Sequence, residues 1–232
     1  MGYQYTYLLM DLLFLAFWLF LFLRRKDTRK EILTISLIFG VAGPLAETVY
    51  TQDWWSPLTI TGTKVGIEDF LFPFMVGGIA AVIFEFVFKK RARDKKAGKN
   101  QQRKRNLNLL LLLLILAVLF FGSFYLLKLN SLYSSIIAFV LPIGIIYFKR
   151  PDLIVNSIIS GILLLVVVVA VYSLLEYLTP GWVREFWYFK NIPEVILFNL
   201  PLDDLIWYFL FGLFIGPLYE YWQEAKLVKF KK

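Results

Sequence analysis

The sequence predicts an all-α membrane protein. It has seven transmembrane helices, arranged as two parallel three-helix repeats joined by a linker helix, with the N-terminus outside and the C-terminus inside. Three observations carry this. The 232 residues are 59% hydrophobic, with a mean hydropathy of +0.67, whereas a soluble domain is roughly 45–50% apolar. Nearly all Lys and Arg fall in four segments between apolar runs. The stretch Gly66–Glu85 is written a second time at Pro201–Glu220.

Apolar runs of about twenty residues are long enough to cross a hydrocarbon core of about 30 Å. Seven can be drawn, at about 3–23, 32–50, 67–88, 107–127, 132–148, 153–177 and 201–222. They are continuous and do not alternate, which favours helices over a barrel. The start, M-G-Y-Q-Y-T-Y, has no positive leader, and Arg24, Arg25 and Lys26 follow the first run instead. A retained first helix is therefore expected rather than a cleaved signal peptide.

The segments 24–30, 89–105, 149–150 and 226–232 hold most of the positive charge. Alternate crossing puts all four on one side, the cytoplasm by the positive-inside rule. The other side holds only Lys64, Lys128, Arg184 and Lys190. The net charge of +8 is thus a topology signal, and no nucleic-acid partner is expected.

The repeat sets the domain organisation. Glu68 matches Asp203, Asp69 matches Asp204, Gly77 matches Gly212 and Glu85 matches Glu220, without a gap. Spans 1–3 with their basic turn and outer loop correspond to spans 5–7. Glu47 and Glu176 are read as partners near the outer ends of spans 2 and 6. Both copies enter from the same side, so the repeat axis lies along the membrane normal. Residues 1–106 form the first repeat with its basic linker, 107–130 the linker helix and 131–232 the second repeat. Span 4 carries no carboxylate and is expected to face lipid.

The chain has no Cys and no His. That excludes thiolate chemistry, imidazole metal sites and Ser-His-Asp triads, and no metal or cofactor is expected. Carboxylates remain as acid–base groups. Glu47, Glu68, Asp69, Glu176, Asp203 and Asp204 all fall near outer helix ends. Acidic residues in a first turn also suit the positive end of the helix dipole. Glu47 and Glu176 lie at the opposite end of their helices, where that account fails. An ionisable group at membrane depth is by default a functional candidate.

Adjacent helical residues point about 100° apart, so one acid of each pair is expected to face the bundle. A carboxyl group in apolar surroundings can keep its proton, and a neighbouring carboxylate is then available as base. Such a set can protonate a carbon–carbon double bond and remove a proton elsewhere. Trp54, Trp55, Phe72, Trp187, Trp207 and Tyr208 are expected at the same depth, where aromatic faces attract a carbocation. An ordinary interfacial aromatic belt accounts for the same residues. Glu85 and Glu220 lie further along, roughly 25 Å away, and Glu85 is expected to pair with Lys89 one turn on.

I-E-D-F-L-F after an aromatic, Pro-containing loop, repeated as P-L-D-D-L-I-W, resembles the membrane-integral, flavin-independent lycopene cyclases. Their signature is a P-x-E-[ED] type motif opening the last helix of each three-helix half, and the resemblance covers essentially the whole chain. It implies cyclisation of the linear ends of lycopene to β-type rings, by way of γ-carotene, without net redox change. It also implies a lipophilic polyene as partner, within a lipid bilayer of the cell membrane. The motif positions here are Glu68, Asp69, Asp203 and Asp204. Gly66 stands where the family favours Pro, and Asp-Asp where Glu is more usual.

Other readings stay open: another isoprenoid cyclase, a proton-coupled transporter, or a non-catalytic pathway subunit. So does assembly, as a homo-oligomer or with carotenoid-pathway enzymes. A retinal photoreceptor is excluded, because the last span has no Lys.

Overall fold

A computed structural model describes residues 3–94, 97–189 and 192–230. Met1, Gly2, Lys95 and Lys96 of the basic linker, Lys190 of the second loop, Asn191, and Lys231 and Lys232 of the basic tail lie outside the described residues. Among those described, seven helical segments are long and apolar enough to cross a membrane. The first six are α1 (Thr6–Arg24), α2 (Arg29–Asp53), α3 (Glu68–Val87), α4 (Lys99–Tyr125), α5 (Ser131–Lys149) and α6 (Ile154–Leu178). A short α7 (Trp182–Phe186) lies in the loop that follows. The seventh segment is α8 (Leu202–Ile215) continued by α9 (Leu218–Gln223).

The outward faces of these helices are greasy. Phe20, Leu37, Val41, Leu45, Leu114 and Val118 are exposed. In water such a surface would be an aggregation liability; facing acyl chains, it is matched to its surroundings. The core instead holds the repeated helices. α3 and α8 are the inner pair: α3 packs on α1, α2, α6 and α8, while α8 packs on α5 and α6 as well.

Burial of apolar surface does not drive helices together in lipid; close packing and interhelical hydrogen bonds do, the latter worth about 0.5–2 kcal/mol each. Trp18 on α1 donates to Ser36 on α2 at 2.9 Å, and Ser157 on α6 donates to the Leu213 carbonyl on α8 at 2.6 Å. That carbonyl lies four residues before Pro217, which has no N–H to offer it. Pro217 thus separates α8 from α9, and Ser157 satisfies the freed oxygen. Pro44, Pro73 and Pro142 lie inside continuous helices.

Two glycines set the helix spacing. A Cβ on Gly212 of α8 would stand 2.7 Å from the Gly161 Cα on α6. A Cβ on Gly43 of α2 would stand 2.2 Å from the Asp69 carbonyl oxygen and 2.3 Å from Pro73 on α3. Pro73 leaves that carbonyl without its usual helical donor, so α2 seats against it, one turn before Glu47.

At the basic end of the bundle the two halves make the same bonds. Arg25 donates to Asp27 through two nitrogens, both at 2.8 Å, and to the carbonyls of Glu85 and Lys90. Arg150 donates to Asp152 at 2.8 and 2.7 Å and to the carbonyls of Glu220 and Ala225. Its hydrogen bonds to Asp152 raise the Arg150 pKa above its ordinary value. Two short strands, β1 (Lys90–Arg93) and, at the far end of the chain, a strand over Lys226–Lys229, pair antiparallel at this end.

Two expectations need correction here. Glu85 makes no ion pair with Lys89 among the described residues: it is fully buried, and Lys89 is exposed. Span 4 is not wholly lipid-facing. Leu109, Leu112 and Phe120 of α4 are buried, because that face packs on α5.

The Gly43 contact yields a stability test. Gly43→Ala should lower stability in detergent by about 1–3 kcal/mol, read as a drop in the thermal unfolding midpoint. Gly144→Ala, where a Cβ meets nothing within 4 Å, should leave the midpoint unchanged or raise it.

Candidate active site

Opposite the basic end, two aromatic loops close over the bundle and bind each other. Tyr188 N–H donates to the Trp54 carbonyl at 2.9 Å, and Ser56 N–H to the Phe186 carbonyl at 2.7 Å. Trp55 and Trp187 face each other across an antiparallel bridge, their ring centroids 5.2 Å apart. Beneath this roof lies a hollow between the two halves. It holds about 880 Å³ of space among its lining atoms, counting the part that opens outward.

Glu47, Asp69 and Asp204 line the hollow, together with Trp54, Trp55, Phe72, Trp187, Trp207 and Tyr208. All six aromatics and three of the six acids expected from sequence are therefore brought together. Asp69 and Asp204 are the matched second members of the two acidic pairs, so the helical offset selects the same position in each half. No Lys or Arg is among the lining residues.

Each acid is held by named donors. Tyr7 on α1 donates to Asp69 Oδ1 at 2.8 Å, and Gly66 N–H donates to Oδ2 at 2.6 Å. Tyr172 on α6 donates to Asp204 Oδ2 at 2.8 Å, and its oxygen lies 3.0 Å from the Tyr208 hydroxyl. Trp55 Nε1–H reaches Glu47 Oε2 at 3.3 Å, while Glu47 Oε1 is buried without a partner. Trp207 Nε1–H donates to Tyr50 at 3.1 Å, and the Tyr50 hydroxyl lies 3.0 Å from Ser135 on α5. These bonds cross between helices of both halves and fix the ring faces around the hollow.

The other three acids do not reach it. Glu68 Oε1 accepts from Ile60 N–H at 2.6 Å, which ties down the first loop. Asp203 accepts from Trp54 Nε1–H, so the second half secures an aromatic of the first. Glu176 is half-buried and accepts from Gly181 N–H at 2.9 Å. It stands one turn beyond Tyr172 on the same helical face, which carries it past the hollow. Counting forward from the matched pairs Arg25/Arg150 and Asp27/Asp152, the residue that stands where Glu47 stands is Tyr172, not Glu176.

Tyr7 and Tyr172 are lining side chains of the hollow that sequence reasoning missed. Tyr172 was open to discovery by counting from the basic turns rather than matching acid to acid. Tyr7 lies in the N-terminal tyrosine cluster, and nothing in the sequence singles it out. Asp11 on α1 was passed over too; it is 1% exposed, and neither of its oxygens has a hydrogen-bond partner among the described residues.

The hollow opens on one side. Of its lining residues, Ala42 is exposed, Gly43, Ala46, Tyr50 and Leu116 are half-buried, and all others are buried. The opening therefore lies between α2 and α4, on the lipid-facing side of both. By the same count, Val167, Val168 and Val171 stand in the second half where Ala42, Gly43 and Ala46 stand in the first.

Comparison with curated proteins and with solved structures returns no match. A family model described as lycopene cyclase matches residues 4–87 and 130–222. Those two segments make up more than half of the chain and leave out the whole of α4. The chain belongs to the lycopene cyclase family.

Proposed function

We propose that the chain is a β-type lycopene cyclase, an isomerase that closes the linear ends of a polyene by carboxylate acid–base chemistry. The observation that carries this is the convergence of Asp69 and Asp204 on one aromatic hollow, each held by a tyrosine hydroxyl. A proton passes from a carboxylic acid to the terminal carbon–carbon double bond and leaves a tertiary cation. The next double bond within reach attacks that cation and closes a six-membered ring, which carries the charge onward. A carboxylate removes a proton from the neighbouring carbon, and the ring double bond forms. One proton is added and one removed, so there is no net redox change.

Asp69 accepts hydrogen bonds on both oxygens, which suits the carboxylate that removes the proton. Glu47, with Oε1 unpartnered, and Asp204 suit its delivery. Both share the hollow with Asp69, so the proton returns between turnovers without crossing the membrane. The faces of Trp55, Phe72, Trp187 and Trp207 stabilise the passing cation, an effect of about 2 kcal/mol or more where water is absent. The polyene enters sideways from lipid past Ala42 and Ala46.

The same proposal takes residues 1–106 and 131–232 as parallel repeats joined by the helix of 107–130, with N outside and C inside the cell membrane. Its support is the duplicated arginine–aspartate–carbonyl bonding and the gathering of positive charge at one end of the bundle.

Three outcomes are expected in lycopene-producing cells. The wild-type chain should convert lycopene to ringed pigments; unchanged lycopene, with the protein present in the membrane, defeats the proposal. Asp69→Asn and Asp204→Asn should each lower ring formation by about 10²–10⁴, whereas Glu176→Gln should leave it near wild type. Ala46→Trp should block the lateral entrance and cut pigment conversion at least tenfold while the unfolding midpoint stays close to wild type.

A further inference from the structure

At the basic end of the bundle, away from the hollow, three carboxylates meet in the interior. Glu31 opens α2, Glu85 lies near the end of α3 and Glu220 lies on α9. Glu85 and Glu220 are fully buried, and Glu31 is 3% exposed. One carboxylate oxygen from each lies within 4.8 Å of the other two. Two of these acids come from the first half of the chain and one from the second. Asn156, which stands in the second half where Glu31 stands in the first, donates to Glu220 Oε1 at 3.1 Å.

Among the described residues, the cluster has no ion-pair partner of its own. Among the described residues, both Glu85 oxygens, Glu31 Oε1 and Glu220 Oε2 are buried with no hydrogen-bond partner outside the cluster. The guanidiniums that approach are already engaged. Arg25 is paired with Asp27 and Arg150 with Asp152, and both turn their remaining donors to backbone carbonyls. Lys30 lies 3.9 Å from Asp94, and the Lys90 ammonium sits over the Phe84 ring. Among the described residues, no ion pair reaches Glu31, Glu85 or Glu220.

We infer that Glu31, Glu85 and Glu220 form a binding site for one hard divalent cation of the magnesium, calcium or manganese kind. Carboxylate oxygens are the donors such ions take, and the sequence has no Cys or His to favour a softer metal. Buried charges are paired or coordinate metal. A divalent ion answers two of the three carboxylates, and the Asn156 amide faces the third. The bound ion ties α2 and α3 to α9, so it fastens the two halves together at the end opposite the hollow. This inference does not depend on the proposed cyclase chemistry.

The test uses the full-length protein in detergent micelles, stripped with EDTA and titrated with MnCl2. Free Mn²⁺ is read by electron paramagnetic resonance, and the thermal unfolding midpoint is read in parallel. One Mn²⁺ should bind per chain, raise the midpoint, and be displaced by Mg²⁺ or Ca²⁺. Glu85→Gln should weaken binding at least tenfold, while Glu176→Gln, outside the cluster, should leave it unchanged. Should Glu85→Gln fail to accumulate, Glu220→Asn replaces it with the same expectation. Absence of stoichiometric binding by monodisperse wild-type protein up to millimolar Mn²⁺ overturns the inference, since the cluster then holds protons instead. Equal binding by wild type and the Glu85 or Glu220 variant overturns it as well.

Discussion

Inside a bilayer no solvent is at hand for a polar group, so a buried carboxyl is costly unless it finds a partner within the protein. That constraint organises this molecule at both ends. At the loop end, Asp69 and Asp204 are met by tyrosine hydroxyls, Glu47 by an indole N–H, and Glu68 and Asp203 by the loops that roof the hollow. At the basic end, Asp27 and Asp152 are met by arginines. Because those donors sit on neighbouring helices or in loops, satisfying the acids also fixes how the helices stand. Tyr7 links α1 to α3, Tyr172 links α6 to α8, and the Trp54–Asp203 bond links the halves.

Close packing supplies the remaining precision. Gly43 admits the carbonyl that Pro73 leaves without a helical donor, and this brings Glu47 on α2 to the same hollow as Asp69 on α3. A side chain on Gly43 would push those helices apart, however favourable it might be in an isolated helix. Ser157 answers the break at Pro217 in the same manner. In both places a proline frees an oxygen, and a neighbouring helix is shaped to meet it.

Much of this is legible in the sequence, and the reasons differ from residue to residue. Apolar run length identifies all seven spans, because the bilayer thickness sets it. The paired acids Glu68/Asp69 and Asp203/Asp204 point to the site, because charge in an apolar helix is costly enough to stand out. Which member faces inward depends on helix rotation, and that depends on packing partners the sequence does not display. Glu176 misleads because matching like with like ignores the count along the helix; the count leads to Tyr172, a residue type that draws no notice in an apolar run. The buried state of Glu31, Glu85 and Glu220 is hidden for a related reason. Each lies near charged turns, where a solvated position is the ordinary expectation, and only the meeting of three helices encloses them.

The contrast between Ala42, Gly43 and Ala46 in one half and Val167, Val168 and Val171 in the other carries a consequence for how such a chain comes to be. Two identical three-helix units related by a two-fold axis must be alike on both flanks, doors on each or walls on each. On the proposed repeat, joining the units through α4 removes that obligation. One flank can then be thinned to admit a guest while its twin is thickened to brace the shell, a division of labour that a symmetric pair of separate subunits cannot reach.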